Sequence, residues 1–199
     1  MRTLILTCSA NAHRVEINRK YWPVDHILRY DDSAEMSELI PADLFVGGDS
    51  LNPGQYRCTI SHIRLWQDVK LNGPAVIMED DAVPLPNVYD SKKIQTLLER
   101  YEVVILWAPK MWTKEEPGEL GEIPARFLTA TLPGSVAYAV NSKGAAFLLA
   151  HYYRRGVYRV DKPIDVITAG LIMQGPTAVC CLTPCPVVHT GHQSTIANQ

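Results

Sequence analysis

Apolar runs of three to five residues recur along the chain and alternate with stretches of helical period. Leu4-Ile5-Leu6 reads as a first buried strand, followed by the polar loop Cys8-Ser9-Ala10-Asn11 and a short helix from about Ala12 to Tyr21. A second strand over Val24–Tyr30 ends in Asp31 and Asp32, and a third, Leu44-Phe45-Val46, runs into the turn Gly47-Gly48-Asp49. From Gly54 to Val69 the period is helical. Cys58, His62, Leu65 and Val69 share one face with Trp66 beside them, so this face packs on a sheet while Arg64 and Lys70 point to solvent. Ala75-Val76-Ile77-Met78 then forms a buried strand.

The second half continues less regularly. Pro84 and Pro86 break the chain, and Asp90 or Ser91 caps a helix carrying Ile94, Leu97, Leu98 and Tyr101 at i, i+3, i+4 and i+7. Residues 103–107 read as a buried strand, 134–140 as another with small residues near its start, and Asn141 caps a helix from Ala145 to about Tyr152. A last strand spans Ala178 to Leu182, and 184–189 read as an irregular tail. Alternation of strand and helix up to Asp81 predicts an α/β fold with a mostly parallel, Rossmann-like central sheet flanked by helices, in one domain over residues 1–199. No G-x-G-x-x-G follows the first strand, so the dinucleotide fingerprint is absent.

Composition changes this picture little. Apolar residues at 47% and charged ones at 20% are those of an ordinary globular domain, and a net charge of −2 offers no global attraction to nucleic acid or anionic lipid. The opening apolar run breaks at Thr7 without a small-residue cleavage site, and no stretch approaches the ~20 apolar residues of a membrane span, so a cytoplasmic location is expected. Five cysteines, an odd number, fit reduced thiols better than a disulfide framework.

The chemistry concentrates at Glu79-Asp80-Asp81, directly after the fourth apolar run. Three adjacent carboxylates raise one another's pKa unless a cation or several donors offset the repulsion. Side chains alternate as a strand ends, so Glu79 and Asp81 can face one way and Asp80 another. Oxygen ligands suit Mg²⁺ or Mn²⁺ completed by substrate phosphates, whereas the bland alternative is an acidic turn or helix start. Thr7, Ser9 and Asn11, at the carboxyl end of the first strand, lie where open α/β sheets bind ligands. His62, on an apolar stripe, reads by itself as a core histidine.

Residues 108–124, with Lys110, Met111, Trp112 and Lys114, read as a mobile segment over the site or a plain surface loop. His151–Arg159 is the one basic, aromatic patch, suited to stacking and phosphate contact or simply a solvated helix end. Pro163 opens a helix that puts Asp165 near its N-terminus, where a carboxylate stays ionised and can take a proton from a hydroxyl. Cys181, Cys185, His189 and His192 are spaced C-x3-C-x3-H-x2-H, unlike the usual zinc knuckle, and a single ligand, His189 or His192, to a carboxylate-bound metal fits better than structural zinc.

Taken together the residues resemble glycosyltransferase family 25, the lipooligosaccharide galactosyltransferases and their collagen-modifying relatives. Arg57-Cys58-Thr59-Ile60-Ser61-His62 is similar to the family's G-C-x-x-S-H, with Arg57 in place of glycine. Leu65-Trp66, Glu79-Asp80-Asp81, Ala137-Tyr138-Ala139-Val140 with Gly144-Ala145, Pro163-Ile164-Asp165 and Ser194-Thr195-Ile196 follow in the family's order. The opening Leu6–Asn11 departs from the family's Asn-Leu-x-x-Arg, and the chain is shorter than typical members.

The resemblance implies a glycosyltransferase A type (GT-A) fold, Mn²⁺ or Mg²⁺, and transfer with inversion from a nucleotide sugar, a UDP-hexose such as UDP-galactose or UDP-glucose, to a saccharide hydroxyl in lipopolysaccharide biosynthesis. On this reading Asp81 binds the metal with Glu79 and His189 as further ligands. Glu79 also holds the donor ribose or a water on the metal, Asp165 is the general base, and Thr7, Ser9, Asn11, Ser61, His62 and Asp80 line the donor site. A hydroxylated base in viral DNA is the alternative acceptor, met by the Tyr152–Arg159 patch. A catalytically silent binding module and a metal-dependent phosphohydrolase are the rival readings.

Overall fold

The computed structural model describes residues 1–8, 11–20, 26–29, 38–85, 88–108, 121–124, 136–166 and 178–190. Its main sheet contains β1 (Arg2–Thr7), β2 (His26–Arg29), β4 (Ala75–Glu79), β6 (Val103–Ile105), β7 (Gly121–Pro124), β8 (Ala137–Val140) and β11 (Val179–Thr183), in the order β2-β1-β4-β8-β6-β11-β7. The sheet is mixed and not mostly parallel. β1 runs parallel to β2 and β4, and β6 to β11, whereas β8 lies antiparallel between β4 and β6, and β7 antiparallel to β11. β6 and β11, with a helix between them in the chain, keep the parallel pairing, but β8 enters between β4 and β6 in the opposite direction, so the strand–helix alternation read up to Asp81 does not set the direction of every strand.

Both faces of the sheet are covered, which is why its strands read as continuous apolar runs. On one face α2 (Pro53–Asn72) and α4 (Ser142–Tyr152) enclose Leu4, Leu6, Trp66, Ile77, Tyr138 and Tyr152. On the other, α1 (Ala12–Arg19) and α3 (Ser91–Leu97) cover Ile5, Val76, Met78, Val104 and Ala139. Alternate residues of one strand thus serve two cores.

Helix α2 carries much of what positions the site, and its start is fixed by sequence. The Asn52 side chain accepts from the Gln55 amide at 2.8 Å, the Gln55 side chain accepts from the Asn52 amide at 3.2 Å, and Pro53 occupies the first turn. Such a cap contributes about 1 kcal/mol. Arg64, expected in solvent, is buried: its Nε donates to the Ile40 carbonyl at 2.9 Å and its guanidinium lies over the Phe45 ring. The carbonyl and the ring face together hold the charged head inside, so the charge does not have to reach solvent.

Two small sheets flank this frame. β3 (Phe45–Val46) pairs with β10 (Val157–Arg159), and β10 with β9 (Tyr153–Arg154). The basic patch is therefore a hairpin, turned by Arg155 at φ 54° and Gly156 at φ 87°, the left-handed pair of a two-residue turn. Tyr152 belongs to the core and leaves the patch to Tyr153, Arg154, Arg155 and Arg159. β12 (Val187–His189) pairs antiparallel with β5 (Ala82–Pro84), so the segment expected to be an irregular tail is a strand. β7 falls inside the expected 108–124 loop, whose residues 109–120, with Lys110, Met111, Trp112 and Lys114, lie outside the described residues, as do Ser9, His192 and 194–196.

Candidate functional site

The acidic triplet stands at the carboxyl end of β4, and its three carboxylates go three ways. Asp80, buried in the turn after β4, faces β1 and α1. It accepts from Thr7 Oγ1 at 2.8 Å and Asn11 Nδ2 at 3.5 Å, and it pairs with Arg14 Nη1 at 3.2 Å. Burial pushes its carboxyl above the ordinary Asp range, opposed by the Thr7, Arg14 and Asn11 contacts. Thr7 and Asn11, read as donor contacts, are thus occupied with Asp80. Arg14 was not singled out in the sequence, although it follows Asn11 by one helical turn.

Asp81 faces the other way. Its Oδ2 lies 3.0 Å from His189 Nε2, and its backbone carbonyl accepts from the amide and hydroxyl of Thr190, at 3.0 and 3.2 Å. The β5–β12 ladder delivers His189 to this position, and Trp107 stacks obliquely against its ring at 5.5 Å. The other oxygen, Asp81 Oδ1, is buried and has no hydrogen-bond partner among the described residues.

Glu79 ends β4 with its amide bonded to the Val136 carbonyl at 2.9 Å. Its carboxylate turns toward α2, where Oε1 lies 3.6 Å from His62 Nε2. Burial, with Asp81, Asp165 and Asp80 nearby, pushes the Glu79 carboxyl well above the carboxylate range. The Cys58 Sγ, His62 and Glu79 ligand atoms all lie within 4.8 Å of one another, and this is the one compact group of metal-ligating side chains among the described residues. Glu79 therefore joins α2 instead of closing a three-ligand set with Asp81 and His189. Cys181 and Cys185 form no such group with His189, which is engaged with Asp81.

His62 is fully buried. Its Nδ1 lies 2.8 Å from the Tyr138 hydroxyl, which also accepts from Trp66 Nε1 at 2.8 Å. The hydroxyl has two acceptor lone pairs and one proton, so it can serve either tautomer of the ring at Nδ1. Desolvation lowers the His62 pKa to about 4, partly countered by Asp165, and the ring is neutral near pH 7. Ser61 is turned inward along α2, its hydroxyl donating to the Arg57 carbonyl at 2.9 Å.

Asp165 sits in a helical turn over 164–166 that leans on α2. The Ile164 amide donates to Thr59 Oγ1 at 3.1 Å, while that hydroxyl donates to the Gln55 carbonyl at 2.8 Å. Gly47, at φ 92°, lets the neighbouring loop approach: a Cβ there would stand 2.6 Å from Asp161 Oδ1. The Asp165 charge is felt by Cys58, His62, Glu79 and Tyr152. Tyr152 lies beside this group, its hydroxyl buried and without a hydrogen-bond partner among the described residues.

The arrangement has two sectors, an Asp81–His189 pair with one free buried oxygen and a Cys58–His62–Glu79 group facing Asp165. For a hard divalent ion the first sector fits, because a buried carboxylate oxygen without a donor is stabilised by a cation, and such ions take one or two protein carboxylates plus substrate phosphates.

No curated protein matches the chain. Among solved structures, A197 from STIV is similar at 14% identity with a TM-score of 0.51, covering 95% of this chain and 85% of that one. A nucleoside-diphosphate-sugar pyrophosphorylase from Vibrio cholerae RC9 aligns at 11% identity with a TM-score of 0.40, covering 96% and 77%. The first of these likenesses agrees with the mixed α/β architecture. The model of glycosyltransferase family 25, described as an LPS biosynthesis protein family, matches residues 34–167, which take in α2, the acidic triplet, β8, α4 and Asp165. By that match, over well more than half its length, the chain belongs to glycosyltransferase family 25.

Proposed function

We propose that the chain is a metal-dependent, inverting hexosyltransferase of GT-A type that uses a UDP-sugar such as UDP-galactose or UDP-glucose. The observation that carries this reading is the buried, unpartnered Asp81 Oδ1 beside His189, at a strand end that Glu79 and Asp165 also approach. Asp81 and His189 would hold Mn²⁺ or Mg²⁺, which when bound supplies neutralisation of charge on the departing nucleoside diphosphate. Glu79 would bind the donor ribose through the carboxylate oxygen not turned to His62. Asp165 accepts the proton of the acceptor hydroxyl as that oxygen bonds to the anomeric carbon and the bond from that carbon to the diphosphate oxygen breaks. Asp80, fixed by Thr7, Asn11 and Arg14, holds the turn so that Asp81 and Glu79 keep their directions.

The acceptor on this reading is a saccharide hydroxyl. DNA with a hydroxylated base is favoured only by the exposed arginines of the β9–β10 hairpin, one of which, Arg159, already pairs with Asp161 at 3.2 Å. Steep loss of activity with salt would identify DNA as the acceptor.

The test is thermal stability with a panel of UDP-sugars, each with and without Mn²⁺, followed by transfer assays with the stabilising donor. A donor-specific rise that needs metal is expected, because a ligand bound only by the native state stabilises it. Asp81→Ala should then lose that rise and transfer by a factor of ~10² or more, and Asp165→Asn should lose turnover with the donor rise intact. No rise with any donor, or an active Asp81→Ala, refutes the reading.

A further inference from the structure

We propose that Cys58, His62 and Glu79 form a second cation site, separate from Asp81 and His189, that takes a borderline-soft divalent ion of the zinc class. Cys58 and His62 are one turn apart on the buried face of α2, so the helix holds both ligand atoms at a fixed separation. β4 brings the third from the sheet, and all three ligand atoms lie within 4.8 Å of one another. The 3.6 Å from His62 Nε2 to Glu79 Oε1 is close to the ~3.3 Å edge of a tetrahedron built on zinc–nitrogen and zinc–oxygen bonds of about 2.0–2.1 Å.

A second observation points into the same space. His62 Nε2 is wholly buried and has no hydrogen-bond partner among the described residues, since Glu79 stands just beyond hydrogen-bond reach. Its other nitrogen is braced by Tyr138, itself braced by Trp66, and metal-ligating histidines are oriented by such outer partners. Asp165, Asp80 and Asp81 add negative charge around the group, which favours a cation.

The ligand types select the ion. A sulfur with an imidazole and one carboxylate suits zinc, whereas magnesium and manganese prefer oxygen throughout. Three protein ligands leave a fourth position for water, and the side chain of Glu79, 20% exposed, marks the side from which ion and water enter. Burial and the nearby carboxylates keep the Cys58 thiol protonated in the ion-free protein. Binding therefore forms a sulfur–metal bond and releases the thiol proton. Ligation through Nε2 requires the neutral His62 ring to carry its proton on Nδ1, where it meets a lone pair of the Tyr138 oxygen. No oxidation state changes.

The test is titration of the full chain, freed of metal by chelation, with Co²⁺. The expected result is a thiolate-to-cobalt charge-transfer band in the near ultraviolet and strong visible bands of tetrahedral cobalt, the charge-transfer intensity corresponding to one thiolate-bound ion per chain. Zn²⁺ should displace the cobalt, and excess Mg²⁺ should not. Cys58→Ser should abolish the charge-transfer band while retaining its circular dichroism, and Cys181→Ser/Cys185→Ser and Asp81→Asn should each keep it. Absence of the band in the wild-type protein overturns the proposal without recourse to any variant. Its survival in Cys58→Ser, or its loss in Cys181→Ser/Cys185→Ser or Asp81→Asn, overturns it too. The readout is independent of sugar transfer, so this site and the transferase reading fail separately.

Discussion

Asp80 and Asp81 are neighbours in one turn, both nearly buried, and their surroundings are opposite. Asp80 has a donor on each oxygen and ties β1 and α1 to the end of β4. Asp81 has one oxygen at His189 and the other without a hydrogen-bond partner among the described residues. A satisfied buried carboxylate is a structural joint, whereas a half-satisfied one costs the fold free energy and persists where something else uses it. The difference teaches that an acidic run is read one residue at a time.

The sharpest way to break the comparison is Asp80→Ala. It leaves Arg14 without its buried ion-pair partner, and Thr7 and Asn11 without their acceptor, so a loss of about 3 kcal/mol in urea unfolding is expected. Asp80→Asn, which keeps the shape and one acceptor oxygen, should cost clearly less. Equal costs for the two variants would mean that the carboxylate's hydrogen bonds contribute nothing.

His62 extends the contrast to pH. Its folded-state pKa of about 4 lies below the unfolded value of 6.5, so between these limits the unfolded chain binds the extra proton. The contribution is fully present above pH 6.5 and lost as pH falls toward 4, amounting to about 3 kcal/mol. Glu79 acts with the opposite sign, because its raised pKa favours the folded state in acid and that contribution fades as pH rises. Chelator-treated Glu79→Gln should therefore show the steeper acid loss, and adding His62→Gln should flatten it. An unchanged slope in the double variant would remove His62 as the cause.

Smaller effects follow. Thr7→Val removes the 2.8 Å hydrogen bond to Asp80 at nearly constant volume and should cost about 1 kcal/mol in the same unfolding measurement. Asp81→Asn should lie within about 0.5 kcal/mol of wild type, since the lost contact to His189 is offset by removing a buried charge with one free oxygen. A large destabilisation there would erase the distinction between the two aspartates.

Most of the frame was legible because apolar runs bounded by polar residues map directly onto strands buried on both faces, as at Leu4–Leu6 and Ala75–Met78. Helix α2 was legible to within a few residues for the same reason. The direction of β8 was not, since its apolar pattern is the same whichever way the strand runs. The β9–β10 hairpin was missed although Arg155-Gly156 between Arg154 and Val157 carries a two-residue turn signal. Arg64 was misplaced because charge alone says nothing of a carbonyl such as that of Ile40 waiting inside. At the site, strand alternation set Asp80 apart from its neighbours, but Glu79 and Asp81, expected to face one way, turn to α2 and to His189 because β4 ends at Glu79 and the turn redirects Asp81. The partners of each were not legible, because Thr7, His62 and His189 come from strands and helices far apart in the chain.

The antiparallel strand at the centre of the sheet also bears on how the protein is made. Val140 pairs with Ala75 on one side and with Val103 on the other, so β8 joins two ladders that have no hydrogen bonds to each other. During synthesis, β2, β1 and β4 can associate early, but β4 keeps an open, apolar edge until β8 leaves the ribosome. Such an edge is a template for pairing with other chains. The nascent protein is therefore most vulnerable to aggregation while the chain between β4 and β8 is being translated, and slowing elongation there would prolong the exposure.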